Sequence, residues 1–156
     1  MASKLDQKEQ KRVERAVTYI TKRLGGPIIF LVSSVYEYKK DSDDDDDSSE
    51  DTGGILAIGR SNRGQADKNS FILFFDSEQT KLLTTNALRR SVWHEWLHAA
   101  TWDYTDEVEN IMKYLKDSPL KDELIDRLYN ARENVTYNLE RTLGPHIFPS
   151  FDWEEK

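Results

Sequence analysis

The feature that most constrains this fold is a dense run of acidic side chains in the first third of the chain. Between Asp41 and Asp51 there are eight acidic residues and no basic one. Such a run cannot collapse into a core against its own charge, so residues 41–52 are predicted to form a flexible acidic loop. The predicted helices and strands lie on either side of it.

The acidity of the chain is confined to this stretch. The 156 residues include 29 acidic and 22 basic side chains, for a net charge of -7. Without the eight acids of residues 41–51, 21 acidic residues stand against 22 basic ones, so the remainder is close to neutral. Because phosphate contacts supply most of the affinity for nucleic acid, we do not expect nucleic acid as a partner.

Composition also limits which functional sites the chain can have and where in the cell we expect it. The chain contains no cysteine, which excludes disulfide frameworks, thiolate metal sites and cysteine nucleophiles. Residues 1–17 are charged and lack the apolar run of a signal peptide. No window approaches the roughly 18 apolar residues that a membrane-spanning helix needs. We therefore expect a cytoplasmic protein that does not bind membranes.

A first helix is predicted over residues 5–24. Its apolar residues recur at spacings of three and four, which places them on one face: Val13, Ala16, Val17, Ile20 and Leu24. Gly25, Gly26 and Pro27 end this helix, because glycine accepts a left-handed cap and proline cannot continue a helix.

Three strands are predicted next. Residues 28–32 are β-branched and apolar and indicate a buried strand that continues to Tyr36. Residues 55–58 indicate a second strand after the acidic run, and residues 70–75 indicate a third. Strands joined by hairpin-like connections would form a small twisted sheet that is largely antiparallel.

The pattern from Thr84 onward is helical. One helix is predicted from Thr84 or Thr85 to about Trp102, a second over residues 106–115, and a third from Pro119 to Leu143, which Gly144 and Pro145 would end. The whole therefore reads as an α+β protein: an N-terminal helix, a small three-stranded sheet and then helices. We predict a single domain over residues 1–156.

Residues 144–156 form an aromatic C-terminal tail without helical periodicity. Its apolar side chains are Ile147, Phe148, Phe151 and Trp153. Such a cluster beyond a Gly-Pro pair is expected to dock on this chain or on another, or to occupy a cleft as an internal inhibitor.

The predicted helix over residues 84–102 carries the sequence His94-Glu95-Trp96-Leu97-His98. Residues four apart lie on one face of a helix, so both imidazoles can reach one metal ion. Zn²⁺ suits such ligands, and a catalytic zinc site has three protein ligands and one open position. Glu95 can act as general base, accepting a proton from metal-activated water and passing it to a leaving amine.

Chance is the competing explanation for this pattern. The motif fixes only three positions, yet it holds two of the three histidines of the chain, and apolar residues surround it on the helix. A metal site is therefore favoured over a metal-free helical domain with a coincidental motif.

The helix around His94, Glu95 and His98 resembles the active-site helix of zincin metallopeptidases. The wider order from Gly53 to Leu143 is similar to the minimal zincin domains of phage and mobile-element proteins. That resemblance implies an edge strand that pairs with an extended peptide substrate, here Ile55, Leu56, Ala57 and Ile58, although an ordinary edge strand is equally consistent with the sequence. It also implies a third metal ligand on a later helix.

The third ligand depends on the branch of the zincins. Thr101 and Tyr104 stand where metzincins have a glycine and a third histidine, so that branch does not fit. The segment from Glu133 resembles the gluzincin pattern, which implies Glu133 as the ligand, but Tyr137 stands where that pattern has an aspartate. Other candidates remain open: Asp103 foremost, then Glu107, Glu109, Asp126, Glu140 and His146.

Helical geometry leaves these assignments open. Leu128, Val135 and Leu139 define the apolar stripe of the last helix, and Glu133 lies to one side of it. Tyr137 is a candidate for stabilising the transition state, as are Tyr104 and His146, although packing or surface roles are more common for such residues. Arg89 and Arg90 could bind a substrate carboxylate, but solvated helix charges are the preferred interpretation.

Taken together, these residues predict a zinc-dependent metallopeptidase that hydrolyses peptide bonds, with Glu95 as general base and His94, His98 and Glu133 as metal ligands. Its partner would be a peptide or protein substrate. The alternative is a zincin-fold protein with little or no activity that serves as a partner-binding or structural module. In that case residues 41–52 are a candidate site for a basic protein partner.

Overall fold

The architecture is known from a computed structural model, which describes residues 4–25, 28–34, 56–60 and 69–153. The acidic run 41–52, Ile55 and the predicted strand end at Tyr36 lie outside these residues. The elements are α1 (Lys4–Leu24), β1 (Ile29–Ser34), β2 (Leu56–Arg60), β3 (Ser70–Phe75), α2 (Ser77–Thr80), α3 (Thr85–Ala100), α4 (Trp102–Met112) and α5 (Pro119–Ile147). This order confirms the predicted α+β fold.

The chain divides into two compact units, Met1–Glu95 and Trp96–Lys156, with the division falling inside the continuous helix α3. The single domain over residues 1–156 stays a prediction. Among the described residues, no helix combines the length and the apolar character needed to cross a membrane.

Helix α1 forms as its apolar spacing predicts. Val13, Ala16 and Ile20 are buried, at intervals of three and four residues. The helix ends at Leu24, and Gly25 follows with a φ of 66°, a left-handed conformation that side chains with a Cβ rarely adopt. The Gly25 amide donates to the Thr21 carbonyl at 2.9 Å, which closes the last turn.

The sheet has β3 at its centre, in the order β1-β3-β2. β2 pairs with β3 antiparallel, but β1 pairs with β3 parallel, so the prediction of a largely antiparallel sheet is wrong for one of the two pairs. The reason is that β1 and β2 are not hairpin partners, because β3 lies between them. Parallel pairing needs a long crossover, and more than 30 residues separate the end of β1 from the start of β3.

The central strand shows the alternation of a half-buried strand. Phe71, Leu73 and Phe75 are buried, while the residues between them are only partly so. Other buried apolar residues of the Met1–Glu95 unit come from the first half of α3: Leu88, Val92 and Trp93.

Polar contacts fix the segment that leads into α3. The Arg12 guanidinium of α1 donates to the carbonyls of Thr80 and Leu83, at 3.1 and 2.7 Å, and pairs with Glu9 at 2.7 Å. The Arg89 guanidinium lies 3.8 Å from the centre of the Tyr19 ring, so this partly buried side chain stacks on α1. These contacts anchor the start of α3 within its unit.

The junction between α3 and α4 differs from the prediction. α3 ends at Ala100, Trp102 already belongs to α4, and α4 begins four residues before the predicted start at Asp106. The hydroxyl of Thr101 donates to the Leu97 carbonyl at 3.0 Å and helps to close the last turn of α3. No glycine or proline stands at this junction, so no sequence signal marks it.

The last helix begins as predicted but does not end there. Ser118 caps α5 by accepting from the Lys121 amide, and Pro119 occupies the first turn. Gly144 and Pro145 were predicted to end the helix, but α5 runs on to Ile147. A proline so near the end removes a single hydrogen bond, and the helix closes with the Phe148 amide donating to the Gly144 carbonyl at 2.7 Å.

The aromatic tail packs within its own unit. Phe148 and Phe151 are buried and stack with their ring centres 4.9 Å apart. The Trp153 indole donates to the Phe148 carbonyl at 2.9 Å, and its ring lies so close to Gly144 that a Cβ atom there would collide with it. The buried positions of α5 are Thr136, Glu140 and Gly144, whereas Val135 of the predicted stripe is half exposed. Leu128 and Leu139 of that stripe are partly buried, so the buried face of this helix is shifted from the predicted stripe toward Thr136 and Glu140.

Candidate metal centre

Helix α3 places the two motif histidines on one face. His94 and His98 are four residues apart in a continuous helix, as the motif requires. Val92, Trp93, Leu97 and Ala99 around them are buried, which fixes the helix. His98 is itself buried, and His94 is partly buried.

The structure brings Glu133 of α5 to these histidines. The candidate ligand atoms of His94, His98 and Glu133 all lie within 4.8 Å of one another. The closest measured approach is 3.1 Å, between His98 Nε2 and Glu133 Oε1. Two ligands of one tetrahedral zinc ion, at bond lengths of about 2.0–2.1 Å, stand roughly 3.3 Å apart, so the spacing of this hydrogen-bonded pair is compatible with a shared metal ion.

Glu133 can reach a metal ion and still contact solvent. Its side chain is 49% exposed, whereas that of His98 is 5% exposed. A site with one exposed ligand and one buried ligand is open on one side, as a catalytic metal site must be. The donor set, two imidazoles and a carboxylate, fits a divalent metal ion.

The other candidates for the third ligand lie elsewhere. Among the described residues, the one group of three metal-ligating side chains is His94, His98 and Glu133. It includes none of the alternatives from the sequence, namely Asp103, Glu107, Glu109, Asp126, Glu140 and His146. Glu133 belongs to this group and Asp103 does not, and the function of His94, His98 and Glu133 as metal ligands stays a prediction.

Two residues that the sequence did not indicate contact the other nitrogen of His98. The Arg132 Nε–H donates to His98 Nδ1 at 3.1 Å, and Thr136 Oγ1 lies 3.2 Å from the same nitrogen. Arg132 is held from its other side by Trp102, whose ring centre lies 5.0 Å from the guanidinium carbon. Polar partners at the second nitrogen orient an imidazole and set its tautomer.

Arg132 and Thr136 can be predicted as partners of His98 only when it is known which face of α5 is buried. Arg132 and Thr136 are four residues apart and share a face of the helix. The predicted apolar stripe, centred on Leu128, Val135 and Leu139, is rotated away from this face, and of its members only Val135 is exposed. With Thr136 recognised as buried, its hydroxyl and the guanidinium one turn earlier are the expected partners of a buried imidazole.

The remaining predicted residues are placed as follows. Glu95 follows His94 on α3, is partly buried and does not belong to the ligand group. Tyr137 lies four residues after Glu133 on α5 and is 51% exposed, and Tyr104 of α4 is 74% exposed. The catalytic role of Glu95 and the stabilising role of Tyr137 stay predictions.

The predicted substrate strand is an edge strand. β2 pairs with β3, and among the described strands it has no second neighbour. Leu56 is buried, while Ala57 and Ile58 are partly buried. An open edge can pair with an extended peptide, but no contact described here tests that role.

Comparisons with known proteins add no family to this picture. The chain matches no protein-family model, no curated protein and no solved structure. The zincin resemblance therefore rests on His94, Glu95 and His98 and on the order of the elements around them.

Proposed function

We propose that this protein is a zinc-dependent metallopeptidase. The observation that carries the proposal is the convergence of His94, His98 and Glu133, which are 39 positions apart at the extremes yet have ligand atoms within 4.8 Å of one another. A surface glutamate without a function would not be expected to lie beside two imidazoles. Two imidazoles and one carboxylate are the ligand set of many hydrolytic zinc sites.

Zinc is the metal that we propose, because this donor set suits it and the spacing of His94, Glu95 and His98 is that of zinc peptidases. The chain offers nitrogen and oxygen ligands and no thiolate, and the oxygen-only ligand sets that Mg²⁺ and Ca²⁺ prefer do not include imidazole. When bound, the ion supplies Lewis acidity, which lowers the pKa of water and polarises the carbonyl of the substrate.

The protein's own residues supply the proton transfers and the binding of substrate. The Glu95 carboxylate accepts a proton from the attacking water and delivers it to the leaving nitrogen of the cleaved peptide bond. Its place on the chain suits that role, because it adjoins a ligand yet lies outside the ligand group. The open edge of β2 binds an extended peptide through backbone hydrogen bonds.

Glu95→Gln separates catalysis from metal binding. The amide keeps the size of the side chain but cannot accept and return a proton, so peptide cleavage should fall by about 10²- to 10⁴-fold while the zinc content is unchanged. Glu107→Gln, an exposed position on α4, is the matched control and should cleave like the parent chain. Full cleavage by Glu95→Gln, measured with a peptide library, would exclude Glu95 as the base.

A partner-binding module is the second candidate function. Large apolar side chains are exposed in the Trp96–Lys156 unit: Tyr104, Ile111, Tyr114, Leu115 and Leu120. Where such side chains form one contiguous patch, they are typical of an interaction surface. A stable complex with one protein, unaffected by Glu95→Gln and accompanied by no cleavage, would favour this function. A cytoplasmic location and a basic partner for residues 41–52 stay expectations from the sequence.

A further inference from the structure

Two groups of α5 share a single nitrogen of His98. Arg132 Nε lies 3.1 Å from His98 Nδ1, and Thr136 Oγ1 lies 3.2 Å from it. The opposite ring nitrogen, Nε2, faces Glu133 Oε1 at 3.1 Å. Both nitrogens of this buried imidazole are therefore in contact with polar groups, and the three partners come from one helix.

The two groups at Nδ1 differ in what they can do. A guanidinium has only donors, whereas a threonine hydroxyl can donate or accept. A neutral imidazole has one protonated nitrogen and one with a lone pair. The hydrogen bond from Arg132 therefore requires the lone pair on Nδ1, which places the proton on Nε2, where it is donated to Glu133.

Metal binding requires the opposite arrangement. A metal ion between His98 and Glu133 needs the lone pair of Nε2, and the proton must then sit on Nδ1. Arg132 cannot accept that proton in a hydrogen bond, and its own N–H would face it. Of the two side chains described at Nδ1, Thr136 is the one that can accept it.

We propose that Thr136 is a positioning residue that stabilises the metal-binding tautomer of His98 when a metal ion binds, and that Arg132 opposes metal binding by stabilising the other tautomer in the zinc-free chain. This inference rests on the proposed metal site. Thr136 is 1% exposed, so water cannot easily replace its hydroxyl as the acceptor. Arg132 gives up one hydrogen bond when the tautomer changes and keeps its contact with Trp102.

Zinc affinity of the full chain tests the role of Thr136. Thr136→Val removes the acceptor at nearly constant volume and should weaken zinc binding by about 10- to 100-fold, the usual effect of losing the partner of a metal-binding histidine. Thr136→Ser restores a hydroxyl and should bind within a few-fold of the parent. Thr105→Val is the matched control, because Thr105 is also buried and bonds only along its own helix, to the Thr101 carbonyl.

Arg132→Met tests the opposing role. It removes the donor to Nδ1 and should tighten zinc binding several-fold, whereas Arg141→Met, nine residues further along α5, removes the same charge and should leave it unchanged. Nitrogen NMR of His98 in the zinc-free chain adds a direct readout. Nδ1 should be unprotonated in the parent chain, and Arg132→Met should shift the proton toward Nδ1.

The outcomes separate this inference from the proposed function. If the parent chain binds no zinc, the proposed metal site is wrong, whatever the variants do. If the parent binds zinc and Thr136→Val binds it equally well, the site stands and the role of Thr136 is excluded. A zinc-free parent with the proton already on Nδ1 would exclude the role of Arg132, and this NMR result needs no variant to fold.

Discussion

At the scale of single residues, the metal site depends on Glu133 more than on any other position. The two histidines share a helix and would face the same way in any fold that keeps α3. Glu133 arrives from a different helix, 35 residues after His98, and its carboxylate still lies 3.1 Å from the imidazole. Its contribution to zinc binding is therefore the sharpest test of the arrangement at this scale.

Glu133→Gln should weaken zinc binding by more than the roughly 10- to 100-fold expected for the loss of a hydrogen-bond partner of a ligand. The amide removes both the negative charge and the stronger ligand oxygen. Asp103→Asn is the matched control, since the sequence ranked Asp103 second and the structure leaves it outside the ligand group. A chain whose zinc affinity depends on Asp103 and not on Glu133 would contradict the arrangement, as read by competition with a chelator of known affinity.

The sequence predicts the residues of this site that lie close together on one helix, but not those that come from another helix. His94, Glu95 and His98 follow from the spacing of four on a helix, which is a property of any helix. Glu133 required a resemblance to gluzincins, because nothing local links it to α3. Arg132 and Thr136 were missed because α5 turns a polar face inward around Thr136, which hydrophobic periodicity cannot reveal.

At the scale of elements, the end of α5 shows how a tertiary contact overrides a local signal. Gly144 and Pro145 predict a helix end, yet the helix continues and the tail folds back on it. The Trp153 ring sits where a Cβ of residue 144 would be, so glycine serves here for close approach. The buried rings of Phe148 and Phe151 add apolar burial that offsets the weak helix propensity.

Gly144→Ala should therefore destabilise the protein by about 1–3 kcal/mol, the cost of overpacking a buried position. At an exposed helical position the same change would stabilise by roughly 0.5–1 kcal/mol. Urea unfolding gives the free energy of unfolding for both cases. As a control, Gly144→Ala is also made in a chain that carries Trp153→Ala. Without the ring, the substitution should leave the free energy of unfolding unchanged or raise it. A Gly144→Ala chain as stable as the parent would show that the ring does not pack on this glycine.

The sheet shows the same limit of local information. The bounds of β3 were predicted from its run of apolar residues, Ser70–Phe75, because a run of apolar β-formers between polar segments is a local property. The partner and direction of each strand are not local. The pairing of β1 with β3, rather than with β2, depends on a crossover whose path no residue pattern encodes.

At the scale of the whole molecule, the residues that give the chain its net charge and the candidate metal ligands lie in different parts of the sequence. The net charge of -7 comes from residues 41–51, whereas the candidate ligands lie between His94 and Glu133. Runs of acidic residues can bind divalent ions weakly, so any count of bound zinc has to distinguish one tight site from weak association with this acidic stretch. Removal of a single imidazole makes that distinction, because it leaves every carboxylate in place.

The most direct test is therefore the metal content of the purified full chain, prepared without a metal-affinity column and measured by mass spectrometry. We expect one zinc ion per chain, lost in His94→Ala and retained in His146→Ala, which removes the one histidine outside the motif. Zinc that persists in His94→Ala, or a parent chain that neither contains zinc nor binds it when it is added, would contradict the claim that His94, His98 and Glu133 form a metal site.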